Sequence, residues 1–370
     1  MHRPHSSPSE TGCKRTERAY LHSDICVPLT CIGIGYWYRR YPIFSGYRLI
    51  QSDTDTSGYR KESNLTSITE FFLQGFQVSH SLRLSLFCLF FVVFIGTIYG
   101  NLLIITLVST SKNLQTPMYF FISQLSISDI ILTTDIVPKM LYVLLNNGGP
   151  ITFIDCIIQL YFFCVIETLE CLLLTVMSYD RYVAICYPLY YTSIMTGGYC
   201  VTLSIICWLF GYLFTFIYII AAAKLNFCGP NIIDHVYCDI LPLLELSCSE
   251  TFFVRLEIYL IGFPIVVVPT TIIVVTYTYI VLAVLRIPSS TGRRKAFSTC
   301  SSHLTVVSIF YWTMFSVYAV PTKRQTATMN KVLSLLYTVF SPLVNPIIYS
   351  LRNADIRKAV QEVCNKWMIW

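Results

Sequence analysis

Met177–Cys186 reads MSYDRYVAIC, an Asp-Arg-Tyr triplet at the end of a long apolar stretch. Charged side chains at such a depth are costly and mark function more often than accident. The stretch before the triplet, Cys156–Tyr179, is built from Ile, Leu, Val, Phe and Cys around two acids, Glu167 and Glu170. Coiled as a helix at about 1.5 Å per residue, it crosses the roughly 30 Å hydrocarbon core of a bilayer.

Six further apolar runs of similar length lie outward from it, near 84–109, 118–145, 199–222, 255–285, 296–320 and 329–351. Short polar or charged joints separate them: Ser111–Pro117, Asn146–Asp155, Tyr187–Gly198, Ile287–Lys295 and Pro321–Thr328. The composition is 55% hydrophobic and only 12% charged, with a mean hydropathy of +0.61, which sets the chain among integral membrane proteins. The expected fold is all-α, a bundle of seven transmembrane helices over 84–351 with a tail at 352–370.

Orientation follows from the short loops. With Arg181 on the cytoplasmic side, that side also gathers Lys112, Arg286, Arg293, Arg294, Lys295, Arg352, Arg357, Lys358 and Lys366, as the positive-inside rule requires. The opposite side carries fewer, among them Lys139, Lys224, Arg255, Lys323, Arg324 and Lys331. Seven spans then place the start of the chain outside, where the Asn64-Leu65-Thr66 glycosylation sequon sits in the 63–83 segment. The net charge of +6 comes from the cytoplasmic rim and the basic leader, without the basic and aromatic pattern of a nucleic-acid surface.

Of the fifteen cysteines, those within spans, such as Cys88, Cys164, Cys171, Cys207 and Cys300, read as small polarizable hydrophobes. Cys156 opens the third span on the outer face, and Cys228, Cys238 and Cys248 share the loop between spans four and five. Four thiols in an oxidising compartment point to bridges and leave three pairings open. His235 is the sole histidine near them and no CxxC pair occurs, which argues against a metal.

Further motifs stand in order: Gly100-Asn101 in span one; Pro117-Met118-Tyr119-Phe120-Phe121 and Leu125-Ser126-Ile127-Ser128-Asp129 in span two; Lys295-Ala296-Phe297-Ser298-Thr299-Cys300-Ser301-Ser302-His303 at span six; Pro342-Leu343-Val344-Asn345-Pro346-Ile347-Ile348-Tyr349 in span seven. With MSYDRYVAIC they make residues 64–364 resemble a vertebrate odorant receptor of the rhodopsin-like, G-protein-coupled class. The resemblance implies a multi-pass plasma-membrane receptor with an extracellular N-terminus, closed by a short amphipathic cytoplasmic helix. It implies a small-molecule odorant as ligand and a stimulatory heterotrimeric G protein as partner, with cAMP as the signal, and the bridges Cys156–Cys238 and Cys228–Cys248. Gln115 and Trp312 depart from the family's usual His and Gly.

The residues suggest how such a receptor works. Arg181 is a permanent cation at the cytoplasmic boundary, restrained by Asp180 and released to form a docking cleft; the alternative is a snorkelling arginine. Pro346 lacks an N–H and breaks the ladder of span seven beside Asn345, with Tyr349 on the cytoplasmic side of the kink. By resemblance Tyr182, Lys295 and His303 join this activation set. Asp129 and Glu170 lie at mid-membrane depth, where a carboxyl must be protonated, paired or bound to a cation. The resemblance implies a sodium or water site there, with Asn101 and Asn345 as neighbours and no other cofactor.

Nearer the outside, Phe163, Cys164, Glu167, Thr168 and Cys171 share a helical register on span three, as do Tyr311, Phe315 and Tyr318 on span six. They form the expected ligand pocket, with core packing as the alternative. An enzyme is disfavoured, because no nucleophile pair, HExxH or cofactor loop occurs in the membrane portion. No duplicated halves suggest a transporter, and Lys331 lies too near the outer end of span seven for an opsin's Schiff base. A receptor of the same class for a small amine or metabolite is the closest rival. Residues 1–62 match neither a signal peptide nor the family and are expected to be disordered, cleaved or a gene-model extension.

Overall fold

Thr152 shows how these helices begin. It accepts a hydrogen bond from Asp155 N at 3.1 Å while its hydroxyl donates to Asp155 Oδ2 at 2.7 Å, meeting donors that a helix start leaves open. Thr196 caps the fourth span by accepting from Tyr199 N at 3.3 Å. Pro117 opens the second, where its missing N–H costs nothing.

The computed structural model describes residues 69–227, 230–249, 251–318, 327–352 and 354–367. The extension at 1–62, the sequon at Asn64 and Cys228 lie outside them, and the side chains of Lys295 and Tyr318 are likewise not described. The long helices are α1 (His80–Thr110), α2 (Pro117–Leu145), α3 (Phe153–Cys186), α4 (Gly197–Ala223), α5 (Phe252–Leu285) and α6 (Ser290–Tyr318). A seventh, α7, runs as Ala327–Leu335, a π turn at Leu336–Phe340, and Ser341–Arg352. The short α8 (Ala354–Trp367) follows, with Ile356 and Ala359 buried and Arg357 and Lys358 exposed, the amphipathic pattern of a helix lying on a surface. Among the described residues, six helices are long and apolar enough to cross a membrane. The remaining long one, α6, spans 29 residues, begins with the polar STGRRK turns, and packs against α3, α5 and α7.

Helices α1, α3, α4 and α7 overrun their apolar runs at both ends. The apolar stretch of span three ends at Tyr179, and α3 continues through MSYDRYVAIC to Cys186, so the whole Asp-Arg-Tyr triplet is helical. A charge ends the apolar zone, but nothing in Asp-Arg-Tyr breaks the backbone ladder.

Helix α3 is the centre of the bundle. It touches α2, α4, α5 and α6, and 61% of its apolar window is buried against 11% for α5. Two glycines allow close approaches between helices. A Cβ on Gly211 of α4 would lie 3.2 Å from Val165 O, and one on Gly100 of α1 would lie 3.2 Å from Pro346 Cγ. In the apolar helices hydroxyls are satisfied locally, as where Thr97 donates to Val93 O at 2.9 Å and Thr133 to Asp129 O at 2.6 Å.

The all-α expectation needs one addition. At the disulfide end, β1 (Glu70–Leu73) pairs antiparallel with β2 (Gly149–Thr152) and parallel with β3 (Ile232–Ile233). Phe71 and Leu73 point into the bundle and are buried, with Phe72 exposed, the period-two alternation of a strand with one wet face. Three segments distant in sequence thus form one lid.

Candidate functional site

At the end opposite the lid, Arg181 forms an ion pair with Asp180 through Nη2, and its Nε donates to the same oxygen at 2.9 Å. The other Asp180 oxygen accepts from Tyr191 OH at 2.8 Å. Tyr191 begins a single helical turn, Tyr191–Ile194, in the loop after α3. Burial, and then Asp180, push its phenol pKa up, so it remains a donor. Asp180 is fully buried and holds one partner on each carboxyl oxygen. Tyr182 faces the rim and meets Tyr187 edge-on at 5.6 Å. His303 of α6 shares a 2.7 Å hydrogen bond with Tyr277 OH of α5.

In the middle of the bundle Asn345 Nδ2 donates to both Asp129 oxygens, at 3.2 and 3.1 Å. Asn101 Nδ2 instead bridges Thr97 O at 3.0 Å and Pro342 O at 3.1 Å. The carbonyl of residue 342 is freed because Pro346, four residues on, has no N–H. The amide of Asn101 therefore occupies the gap that the proline opens. Asn101 Oδ1, Glu170 Oε1 and Tyr349 OH are buried with no hydrogen-bond partner among the described residues. No cluster of three or more His, Cys, Asp or Glu side chains able to hold a metal occurs among the described residues.

Toward the lid, Phe163, Thr168 and Cys171 are buried, Cys164 and Tyr311 partly so, and both carboxyl oxygens of Glu167 are buried and unpartnered. Phe163 packs against Tyr237 at 5.5 Å and Tyr337 at 6.4 Å, and Tyr337 meets Phe310 at 5.9 Å. Phe315 is a correction: at 62% exposure it points away from the bundle, because the inward face of α6 follows Phe310 and Met314. Trp312, 73% exposed, also faces outward, so that departure from the family pattern does not shape the interior. An apolar crevice lined by Gly75, Phe76, Phe90, Met140, Val143, Leu144 and Val236 lies beneath β1, and none of the expected pocket residues lines it.

The lid is fastened at three points. Cys156 is bonded to Cys238, with Cα atoms 5.5 Å apart. Gln159 accepts from Cys238 N at 2.9 Å and donates to Asp135 O at 3.0 Å. Lys331 of α7, 4% exposed, pairs with Asp234 and donates to Gly75 O at 2.7 Å. Cys248 is disulfide-bonded, and the expected pairing with Cys228 falls on a residue outside those described.

The olfactory receptor family model matches residues 87–366. This chain belongs to the olfactory receptor family. Olfactory receptor 1468 of Rattus norvegicus is 40% identical over 306 residues, 82% of this chain and 98% of the relative. Olfactory receptor 1G1 of Gorilla gorilla gorilla is 44% identical over 300 residues, 81% and 96% of the two chains. Olfactory receptor 11L1 of Homo sapiens is 42% identical over 303 residues, 82% and 94%. Squid rhodopsin shares the fold, with a TM-score of 0.64 over 78% of this chain and 82% of its own at 21% identity.

Several residues of this olfactory receptor had no signal in the sequence. Tyr191 is one of three tyrosines in Tyr187-Pro188-Leu189-Tyr190-Tyr191, and only the turn of the chain selects it for Asp180. Tyr119 sits within the motif at the start of span two, yet its bond to Asp355 Oδ2 of α8, at 3.0 Å, spans 236 positions. Gln124 accepts from Ser204 and Trp208, each at 3.1 Å, and ties α2 to α4. Lys331, too near the outer end of span seven for an opsin's Schiff base, fastens the lid.

Proposed function

We propose that this olfactory receptor is an odorant-gated, G-protein-coupled receptor of the plasma membrane, with the lid extracellular and Arg181 cytoplasmic. A small odorant enters the aromatic and acidic interior beneath the lid and shifts α6 and α7; Arg181 then leaves Asp180 and helps form the cleft for a stimulatory G protein, raising cAMP. The observation that carries this is the Asp180 lock. A buried acid holding Arg181 and Tyr191 together is a two-partner restraint at the boundary where a G protein docks, and it opens only if the helices around it move.

The π turn and Pro346 make α7 the natural moving part, since both interrupt its ladder. The core between Asp129 and Glu170 suits a hard cation such as sodium, because its two carboxyls offer oxygen ligands and Glu170 Oε1 and Asn101 Oδ1 have no hydrogen-bond partner among the described residues. Such an ion would offset the negative charge shared by the two acids. Asn345 holds Asp129 in place beside it.

The test is cAMP in cells expressing the full chain, against an odorant panel and a biogenic-amine neurotransmitter panel. Odorant-evoked cAMP that disappears in Arg181→Ala, with the receptor still at the surface, is the expected result. A response confined to the neurotransmitters would transfer the chain to the rival reading.

A further inference from the structure

Glu167 is a carboxyl without an explanation. Both its oxygens are buried and lack a hydrogen-bond partner among the described residues, as does Oε1 of Glu170 one turn below, itself 4% exposed. A buried carboxylate in that position requires a proton, a partner or a cation. The ionisable groups that act on Glu167 are Glu170, Asp239 and Asp129, all acidic. Lys331 and Arg181 do not serve it: Lys331 is engaged by Asp234 and Gly75 O, and Arg181 by Asp180.

An aromatic cluster begins one turn from Glu167 toward the lid. Phe163 lies four residues earlier on the same face of α3. Its ring meets Tyr237 from the loop before α5 and Tyr337 from the π turn of α7, and Phe310 of α6 closes the group. All four rings are at most 3% exposed. Ring faces are electron-rich and attract cations most strongly where water is excluded.

We infer that Glu167 and this aromatic cluster recognise odorants bearing a protonated amine, the ammonium donating to the Glu167 carboxylate while its apolar part packs on the rings. The amine keeps its proton, and no bond is made or broken. A carboxylic acid odorant would add a further negative charge to an acidic site. An alcohol or ketone would leave the acids uncompensated. The inference rests on the odorant-receptor reading for its ligand class, but binding can be measured without signalling.

The probes are butyl-, hexyl- and cyclohexylamine, each paired with the alcohol and the carboxylic acid of the same carbon skeleton. Their effect is read as thermal stabilisation of the purified full-length receptor in lipid nanodiscs, and as cAMP in cells. At least one amine should stabilise the wild type above its alcohol and acid. Glu167→Gln should weaken that amine by about thirtyfold or more, the size expected when one partner of a buried ion pair is lost, with the paired alcohol unchanged or improved. Glu167→Asp should keep the amine preference at reduced affinity; if Glu167→Gln does not reach the surface, this variant and the wild-type pairs decide.

Equal stabilisation by amine and alcohol, no stabilisation by any amine, or an undiminished amine preference in Glu167→Gln overturns the inference. Amine-selective stabilisation with no cAMP response to any odorant would overturn the signalling reading and leave this one standing. Signalling to neutral odorants alone, with amines inert in both assays, would do the reverse.

Discussion

Asp180 shows most directly how one side chain sets the state of the molecule. It accepts from Arg181 and Tyr191 at once, so removing either donor weakens the lock by a different route. Tyr191→Phe deletes one hydrogen bond to a charged acceptor and leaves the ring in place. The loss is about 1.5 kcal/mol, or roughly tenfold in the locked equilibrium. The expected outcome is ligand-independent cAMP raised several-fold at equal surface expression; a basal level equal to wild type would show that the bond does not restrain activation. Arg181→Ala should behave in the opposite sense, retaining odorant binding in a stabilisation assay while cAMP falls to background. Asp-Arg-Tyr was legible in the sequence because the charges are adjacent. Tyr191 was not, because nothing local distinguishes it from Tyr187 or Tyr190.

The helix contacts make a sharper distinction among glycines than composition allows. Gly211 stands against the backbone of the central helix, where Val165 O has no room to retreat, whereas a Cβ on Gly197 meets nothing within 4 Å. Gly211→Ala should therefore cost about 1–3 kcal/mol through overpacking and lower the melting temperature of the purified receptor. Gly197→Ala should leave it unchanged or slightly raised. Equal effects at the two sites would contradict the α3–α4 packing.

The lid carries a pH dependence of its own. His235 is buried next to Lys331, and burial, then that cation, lower its pKa to about 4 from an ordinary 6.5. Its neutral form belongs to the folded lid, so its contribution is fully present above pH 6.5 and is lost as pH falls toward 4, a loss of about 3 kcal/mol at most. Asp239 opposes it. Burial raises that carboxyl to about 6 from 3.8, and its contribution is present at low pH and lost as pH rises through about 6. Protection of the β1 and β3 amides, corrected for the intrinsic exchange rate, should thus fall in the wild type between about pH 6.5 and 6, where His235 acts before Asp239 offsets it. His235→Gln should abolish or invert that trend; an identical profile in the mutant would remove His235 as its cause.

At the scale of the molecule, the lid makes the segment before the first span part of the receptor. Phe71 and Leu73 are buried under the lid, and β1 joins two loops that have no other strand between them. Removing residues 1–61 should leave surface expression and odorant response intact. Extending the deletion through residue 75 should abolish both. Breaking the bridge with Cys156→Ser is expected to cost about 2–5 kcal/mol and keep the receptor from the surface, whereas Cys88→Ser, an exposed free thiol on α1, should be silent.

The sequence by itself determined the seven apolar runs, which end bears the Asp-Arg-Tyr triplet, and which acids lie within those runs. Those properties depend on hydropathy, helical period and adjacency, all local along the chain. The family, too, was legible from motifs in order. Only the tertiary structure decided which polar groups meet. Asn101 turns to the carbonyl that Pro346 frees, Asn345 takes Asp129, Lys331 fastens the lid, and Phe315 faces away from the bundle while Phe310 faces in. The β-sheet of the lid was equally invisible, because its strands are two to four residues long and their partners lie some eighty residues or more away. Such contacts are set by how helices rotate and pack around α3, where a turn of about 100° per residue moves a side chain from lipid to interior.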